Sequence, residues 1–267
     1  MKKLTKLLCL TLAVMFCAMS FVACGSDKTD YEYIKEKGEL VIGITYFEPM
    51  NYVGADGQLT GFETEFATAV CEILGVKPKF QEINWKTKEV ELNGKTIDCI
   101  WNGMTITEDR KASMSISNAY MKNKQVIVLK SENVGKYKTA DDFKGIKLVA
   151  EAESAGENVA KTNALFAQAA FTPVKSMKDA IMEVAAGTAD ACVVDFVTSI
   201  GMIGEGTAYA ALSVDTAFSF DEEEYGIAFR KDSDITAKVN EAIATLIANG
   251  TLAKIAAKYK LDGQLIG

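Results

Sequence analysis

The apolar residues of this chain recur at two spacings, one typical of helices and one typical of strands. In 61–75 they return every three or four positions up to Gly75, which predicts a helix closed by a glycine. Residues 39–46 are rich in β-branched residues, which predicts a strand. The same spacings predict strands at 79–84, 97–100, 125–130, 147–152, 189–195 and 225–229, and helices at 89–92, 140–143, 176–187, 233–249 and 251–260. Strands that alternate with helices indicate an α/β fold with mostly parallel sheets.

The first residues of the chain have the pattern of a secretion signal rather than of a folded element. Three lysines precede an apolar stretch at 7–22, and the sequence FVACGS follows. A small residue before a cysteine is typical of bacterial lipoprotein cleavage. We therefore expect a lipoprotein-type signal peptide at 1–23, lipidation of Cys24 and a polar linker at 24–30. The alternative is an ordinary signal peptide or an uncleaved anchor.

Composition excludes several classes of function. The signal region contains three of the 29 basic residues and none of the 36 acidic ones, so the net charge falls from −7 to −10 when it is removed. A chain this acidic has no concentrated basic face for nucleic acid. There is no histidine, which excludes histidine-dependent nucleophilic machinery and histidine-bound metals.

Three cysteines remain beyond the signal region, at positions 71, 99 and 192, and they share no motif spacing. An odd number without such spacing argues against a disulfide framework or a zinc site. We expect all three to be small buried residues. Neither a metal nor a cofactor is expected.

The stretch GMTITEDR at 103–110 contains a candidate anion site. Thr107 has the position of a helix N-cap, and Arg110 follows within the first turn, where positive charge is usually unfavourable. A guanidinium matches a carboxylate with two parallel hydrogen bonds, so Arg110 with Thr105 is a plausible carboxylate clamp. Ser154, at the start of another predicted helix, offers further donors. The alternative is a surface arginine paired with one of the two acidic residues beside it.

Other candidates would complete a site for a zwitterion. Asp195 ends an apolar strand, where a charge is costly unless it is paired, so it could receive an ammonium group. The alternative for Asp195 is an N-cap of the next segment. Phe47 and Trp85 follow strands and could cover an apolar ligand stem, although each could simply be part of the core.

Several stretches follow the order and spacing of one known family. They are KGELVIGI, GFETEF…LGV, TIDCIWNGMTITEDRKASMSISNAY, FKGIKLVAEAESAGE, GTADACVVDF and EYGIAFRKDSD. The chain resembles the extracellular amino-acid-binding proteins of ABC transporters, which have the type II periplasmic-binding-protein fold. The resemblance covers about residues 31–262.

The resemblance implies a role for each matching position. The ligand carboxylate would contact Thr105, Arg110, Ser154 and Ala155. The ligand ammonium would contact Gly103, Thr105 and Asp195. Phe47 and Trp85 would stack on the ligand. Glu48, Asn102 and Glu153 could reach the ligand side chain, which favours a polar or cationic amino acid.

The same resemblance implies two lobes that close on the ligand. Lobe 1 would be 31–123 plus 223–267, lobe 2 would be 124–222, and two strands would cross between them near 122–126 and 219–224. Each lobe would be a mostly parallel sheet flanked by helices, and closure would be a hinge motion.

The function expected from these features is a binding function rather than catalysis. The protein would be a monomer that delivers its amino acid to a separate ABC permease. Cys24 would anchor it to the outer face of the cytoplasmic membrane, facing the periplasm if the host has an outer membrane. The alternative is an enzyme on the same fold, such as a cyclohexadienyl dehydratase or a lytic transglycosylase, with Glu48 or Glu153 as the general acid.

Overall fold

The computed structural model describes residues 28–267. The predicted signal peptide, the lipidation site at Cys24 and the first linker residues lie outside this range. Thr29 caps the first described helix, and the carboxylate of Asp30 accepts from Arg230 at 2.9 Å. The last two residues of the predicted linker 24–30 are therefore part of the folded unit.

The centre of the fold is a mixed sheet of ten strands. The described strands are β1 Glu39–Ile44, β2 Tyr52–Val53, β3 Leu59–Thr60, β4 Lys77–Glu82, β5 Cys99–Thr105, β6 Met114–Ile116, β7 Met121–Lys130, β8 Lys147–Glu151, β9 Ala170–Val174, β10 Ala191–Asp195, β11 Leu212–Asp215 and β12 Glu222–Arg230. The sheet order is β4-β1-β5-β12-β7-β10-β8-β9, with β6 against β12 and β11 against β7, while β2 and β3 form a separate hairpin. Pairing is parallel within β4-β1-β5 and within β10-β8-β9, and antiparallel around β12 and β7.

Helices cover both faces of this sheet. They are α1 Asp30–Lys37, α2 Phe62–Leu74, α3 Lys88–Asn93, α4 Glu108–Ser113, α5 Ala155–Thr162, α6 Met177–Ala186, α7 Phe196–Met202, α8 Ile235–Ala248 and α9 Thr251–Lys258. None of the helices described within 28–267 has the length and apolar character needed to cross a membrane. The α/β fold class predicted from the sequence is confirmed.

Two strands in the middle of the sheet connect its halves. Residues 121–124 of β7 pair with 222–225 of β12, and β7 then continues along β10 with residues 125–129. In the other direction, β12 continues along β5 from Tyr225 to Phe229. The first predicted connecting segment, near 122–126, therefore lies in β7. Of the second, near 219–224, residues 222–224 lie in β12 and residues 219–221 precede it.

Each half of the sheet has a hydrophobic core on both faces, because successive strand residues point to opposite sides. In β1, Leu40 and Ile42 belong to the core under α2 and α8, while Val41 belongs to the core on the opposite face. In β7, Val128 and Leu129 divide in the same way between two other cores. The three cysteines at positions 71, 99 and 192 are buried and free, as the sequence predicted.

The sequence prediction does not include β2, β3, β6, β9, β11, α1 and α7, and it places β5 at 97–100. The observed β5 continues to Thr105, and every residue of Cys99–Thr105 is buried. Buried polar contacts explain this result. The Asn102 amide accepts from the Thr45 N–H at 2.8 Å and donates to the Thr45 hydroxyl at 2.6 Å, so the strand continues through a polar position.

Glu63 fixes the end of β5 from inside the core. Its carboxylate accepts from the Gly103 N–H and the Asn51 amide, each at 2.8 Å, and from the Tyr120 hydroxyl. Burial raises the pKa of Glu63 to about 7. This fully buried acid joins α2 to β5 and to the loop before β2.

We predict that Glu63→Leu destabilises the protein by about 3 kcal/mol or more, because an unsatisfied buried donor costs about 1–3 kcal/mol and three donors lose their acceptor. Urea unfolding would measure the change in the free energy of unfolding. Glu72→Leu, on the exposed side of the same helix, is the control and should stay within about 0.5 kcal/mol. Equal stability of the two variants would contradict the role given to Glu63.

Candidate functional site

A cavity of about 530 Å³ lies beside the crossing strands, between the two halves of the sheet. Four of the nine predicted ligand-binding residues line it: Thr105, Arg110, Ser154 and Ala155. The other five are buried outside its lining: Phe47, Trp85, Asn102, Gly103 and Asp195. Its remaining walls are Lys88, Glu89, Thr107, Asp109, Glu153, Glu157, Asn158, Val159, Lys161 and Glu223.

Arg110 joins the two halves across this cavity. The Thr107 hydroxyl caps α4 by accepting from the Arg110 N–H at 3.2 Å, which places Arg110 in the first turn as predicted. Its guanidinium donates to the Thr105 carbonyl at 2.7 Å and to the Glu153 carbonyl, in the other half, at 3.4 Å. Burial lowers the pKa of Arg110 from its ordinary value.

Arg110 is not a surface arginine paired with its acidic neighbours. Glu108 pairs instead with Lys111 at 2.9 Å. Within residues 28–267, no carboxylate lies within 4.0 Å of the Arg110 guanidinium. The arginine therefore has main-chain hydrogen-bond partners but no ion pair in the described chain, and the negative charges of Glu223 and Asp195 act on it from beyond 4.0 Å.

The start of α5 forms the opposite wall. The Ser154 hydroxyl accepts from the Glu157 N–H at 3.0 Å, as the predicted capping box requires. The Glu157 carboxylate bonds to the Glu153 N–H at 2.7 Å rather than to that of Ser154, so the reciprocal contact lies one residue earlier. Glu153 has a φ of +61°, and its side chain is exposed while its carbonyl accepts from Arg110.

Lys88 is a second cation in the same wall, and the sequence interpretation missed it. Its side chain is nearly enclosed, with 5% exposure, and its ammonium donates to the Trp85 carbonyl at 3.2 Å and to the Glu153 carbonyl at 3.4 Å. The ammonium also lies 4.7 Å from the centre of the Trp85 ring. Burial, followed by the charge of Arg110, lowers the pKa of Lys88 to about 8. The sequence predicts this helix to begin at 89, one residue after Lys88, and assigns Lys88 no role.

The predicted aromatic walls are largely core residues. Trp85 belongs to one hydrophobic core, and its indole N–H has no partner among the described residues. Phe47 packs over Gly103, where an added Cβ would lie 3.1 Å from the Phe47 ring and 3.2 Å from the Tyr225 ring. Gly103 also has a φ of +56°, so both the backbone and the close packing require glycine there.

Asp195 is enclosed rather than open to the cavity. With 3% exposure, its carboxylate accepts from the Tyr225 hydroxyl at 2.7 Å and from the Gln125 amide. Asp195 stands at the N-cap position of α7 but makes no side-chain capping bond, and the Val197 N–H donates instead to Asn123 at 3.2 Å. The N-cap alternative for Asp195 therefore does not hold.

Glu223 is the acid that faces the cavity on this side. The Gln125 amide that bonds to Asp195 also donates to the Glu223 carboxylate at 2.7 Å, which places the two carboxyl groups close together. Burial, followed by the charge of Asp195, raises the pKa of Glu223 to about 7. Burial also raises the pKa of Asp195. Glu223 lies in a run of three glutamates, a pattern typical of a solvated surface, so the sequence interpretation passed over it.

Two further candidates lie outside the lining of this cavity. Glu48 is exposed and lines a smaller cavity of about 160 Å³ with Phe47, Lys178 and Met202. Asn102 is held within its own half by Thr45 and Asn51. Of the three residues that favoured a polar or cationic ligand, only Glu153 lines the large cavity. Among residues 28–267, no group of three or more Cys, Asp and Glu side chains is placed to hold a metal ion.

Comparison with known families agrees with this architecture. Residues 40–262 match the family described as bacterial extracellular solute-binding proteins, family 3. The chain belongs to this family. Its fold is the two-lobed type II periplasmic-binding-protein fold expected from the sequence.

Individual relatives extend over most of the chain. The L-cystine-binding protein TcyJ of Escherichia coli is 30% identical over 93% of this chain and 92% of its own length. The L-arginine-binding protein of Pseudomonas aeruginosa is 32% identical over 80% of this chain and 84% of its own length. A substrate-binding protein of an ABC uptake transporter from Streptococcus pneumoniae, solved with bound histidine, is 30% identical, with a TM-score of 0.79 over 88% of this chain and 97% of that one.

Proposed function

We propose that this protein captures a free amino acid between its two halves and delivers it to an ABC permease. The observation that carries the proposal is the Arg110 guanidinium, which lines the cavity and has no carboxylate partner among the described residues. A partly buried charge without an ion-pair partner is costly, and a ligand carboxylate supplies such a partner. The relatives that bind cystine, arginine and histidine support an amino acid as the ligand.

The charges of the cavity suggest how the ligand is oriented. Its α-carboxylate would lie between Arg110 and the start of α5, where Ser154 and Ala155 stand. Its α-ammonium would meet Glu223, with Asp195 behind it sharing the Gln125 amide. In this orientation Glu223 contacts the ligand ammonium directly. Asp195 acts on the ammonium through its negative charge and through the Gln125 amide that the two acids share.

Capture would use a hinge at the paired segments of β7 and β12. One moving lobe would be 31–123 plus 223–267, and the other would be 124–222. The bond from Arg110 to the Glu153 carbonyl crosses between them, so opening would break it and expose the guanidinium. A ligand that binds the closed form more tightly than the open form would shift the balance toward closure.

The proposed place of action is the outer face of the cytoplasmic membrane. The family is extracellular, and its substrate-binding proteins act with permeases. Lipidation of Cys24 would hold a monomer at the outer face of the cytoplasmic membrane, close to the permease. No cofactor is needed for this role.

The enzyme alternative has less support. Glu48 is outside the lining of the large cavity. Glu153 lines that cavity, but its exposed carboxylate has no hydrogen-bond or ion-pair partner among the described residues that would adapt it to act as a general acid. The named relatives are binding proteins. Turnover of a prephenate-like or glycan substrate by the purified protein would restore this alternative.

A thermal-shift screen of the purified protein against the common L-amino acids, L-cystine and several D-forms tests the proposed function. A ligand at a hundred times its dissociation constant stabilises the folded state by roughly 2.7 kcal/mol. For a chain of this size the expected rise in Tm is roughly 5–11 °C. One or two strong responses are expected. A panel without any response would reject amino-acid capture.

Arg110→Ala should abolish binding of the best ligand while the protein remains folded. Truncating one partner of a buried charge pair costs roughly 2–5 kcal/mol of affinity. Isothermal titration calorimetry would measure the loss, and circular dichroism would check the fold. Lys111→Ala, the exposed neighbour, should bind as the wild type does. An unchanged dissociation constant for Arg110→Ala would reject the carboxylate clamp.

Glu223→Gln should weaken ligand binding about tenfold or more, a change of about 1.4 kcal/mol. It should also remove part of the pH dependence. Because the pKa of Glu223 is raised to about 7, the wild-type affinity should increase from pH 6 to pH 8 as the carboxyl group ionises and can pair with the ammonium. Calorimetry across this range, with exposed Glu224→Gln as the control, would test it. An equal slope in wild type and Glu223→Gln would exclude the direct contact.

A further inference from the structure

Of the three cations that line the cavity, Lys161 pairs with Glu157, whereas Lys88 and Arg110 have no ion-pair partner among the described residues. Arg230, which is 8% exposed, bonds to Asp30 at 2.9 Å and lies 3.6 Å from Asp98. Lys37 pairs with Asp98 at 2.6 Å. In contrast, neither Lys88 nor Arg110 has a carboxylate within 4.0 Å among residues 28–267.

The two unpaired cations of the cavity are neighbours. The Lys88 ammonium and one Arg110 guanidinium nitrogen each lie 3.4 Å from the same oxygen, the carbonyl of Glu153. They are therefore no more than twice that distance apart. One carbonyl dipole cannot neutralise two positive charges, and a single ligand α-carboxylate carries only one negative charge.

The acidic side chains nearby do not provide the second negative charge. Glu151 is buried, and one of its carboxyl oxygens has no hydrogen-bond partner in the described chain. Burial raises the pKa of Glu151 to about 8, so this group is mainly neutral at pH 7. Glu89 is partly exposed and Glu153 is exposed, and both are more than 4.0 Å from the Lys88 ammonium. No carboxylate of the described chain therefore forms an ion pair with Lys88, and the charges of Glu89, Glu153 and Glu151 act on it only from beyond 4.0 Å.

We propose that Lys88 binds a second carboxylate of the ligand, so that the site selects amino acids with two acidic groups. This inference rests on the proposed function and names its ligand class: dicarboxylic amino acids and disulfide-linked double amino acids. A cationic ligand side chain beside Lys88 would meet a like charge in a closed space, which is unfavourable. A cavity of about 530 Å³ has room for either type of diacid.

Calorimetry with matched ligands tests the proposal. The probes are L-glutamate against L-glutamine, L-aspartate against L-asparagine, and L-cystine as a larger diacid. The wild type should bind at least one diacid about tenfold or more tightly than the neutral amino acids, because an unpaired buried cation gains a partner only from the acid. Lys88→Met should lose this preference, because its affinity for the diacid should fall about tenfold or more and its affinity for the amide should fall less.

Three variants separate binding from a structural role. Lys86→Met removes an exposed lysine of the same turn and should keep the preference for the diacid. Lys88→Arg should restore most of it, and Lys88→Gln serves if Lys88→Met does not fold. A wild type that binds amide or cationic amino acids as tightly as diacids, with no change in Lys88→Met, would overturn the inference while leaving amino-acid capture intact. Absence of binding to every amino acid would reject the proposed function as well.

The pH dependence adds a readout that a packing role would not change. The charged and titratable groups around the Lys88 ammonium are Arg110, Glu89, Glu151 and Glu153. Since the pKa of Lys88 is lowered to about 8, the diacid affinity of the wild type should fall as pH rises from 7.5 to 9. Lys88→Arg should show a smaller fall, because arginine keeps its charge and only the ligand amine and Glu151, whose pKa is raised to about 8, then titrate. Equal falls in both proteins would count against a direct contact by Lys88.

Discussion

The guanidinium of Arg110 bonds to main-chain carbonyls from both halves of the sheet, and the functional site is built around it. Its bond to the Thr105 carbonyl belongs to the half that contains β5, and its bond to the Glu153 carbonyl reaches the start of α5. These contacts position the charge but do not neutralise it. A partly buried cation without an ion-pair partner is the feature on which the proposed binding of a ligand carboxylate rests.

The opposite side of the cavity has the complementary constraint. Asp195 and Glu223 share the amide of Gln125, and burial raises the pKa of both acids. Two acids this close hold their full negative charge only when a cation is present. Glu223 belongs to β12 and Gln125 to β7, the two strands that connect the halves, whereas Asp195 ends β10. One acid of the pair and the amide that joins both acids therefore lie on the connecting strands.

The rigidity of the site comes from polar contacts that do not touch the cavity. Glu63 holds the Gly103 N–H from inside the core, and Asn102 is fixed by Thr45 and Asn51. Phe47 covers Gly103 at a distance that leaves no room for a side chain. The stretch before Arg110 is thus supported on both faces, which limits the movement of the guanidinium relative to its own half.

The sequence by itself determined many of the elements and the local geometry of the proposed anion-binding half of the site. The Thr107 cap, the placement of Arg110 and the Ser154 helix start depend on contacts within three residues, and such local contacts can be read from spacing. Only the tertiary structure decided the roles of Lys88, Gln125 and Glu223. Gln125 lies 70 residues from Asp195 and 98 from Glu223 along the chain, and Lys88 lies 65 from Glu153. Their environments depend on which strands are neighbours and on burial between the two halves, which no local pattern encodes.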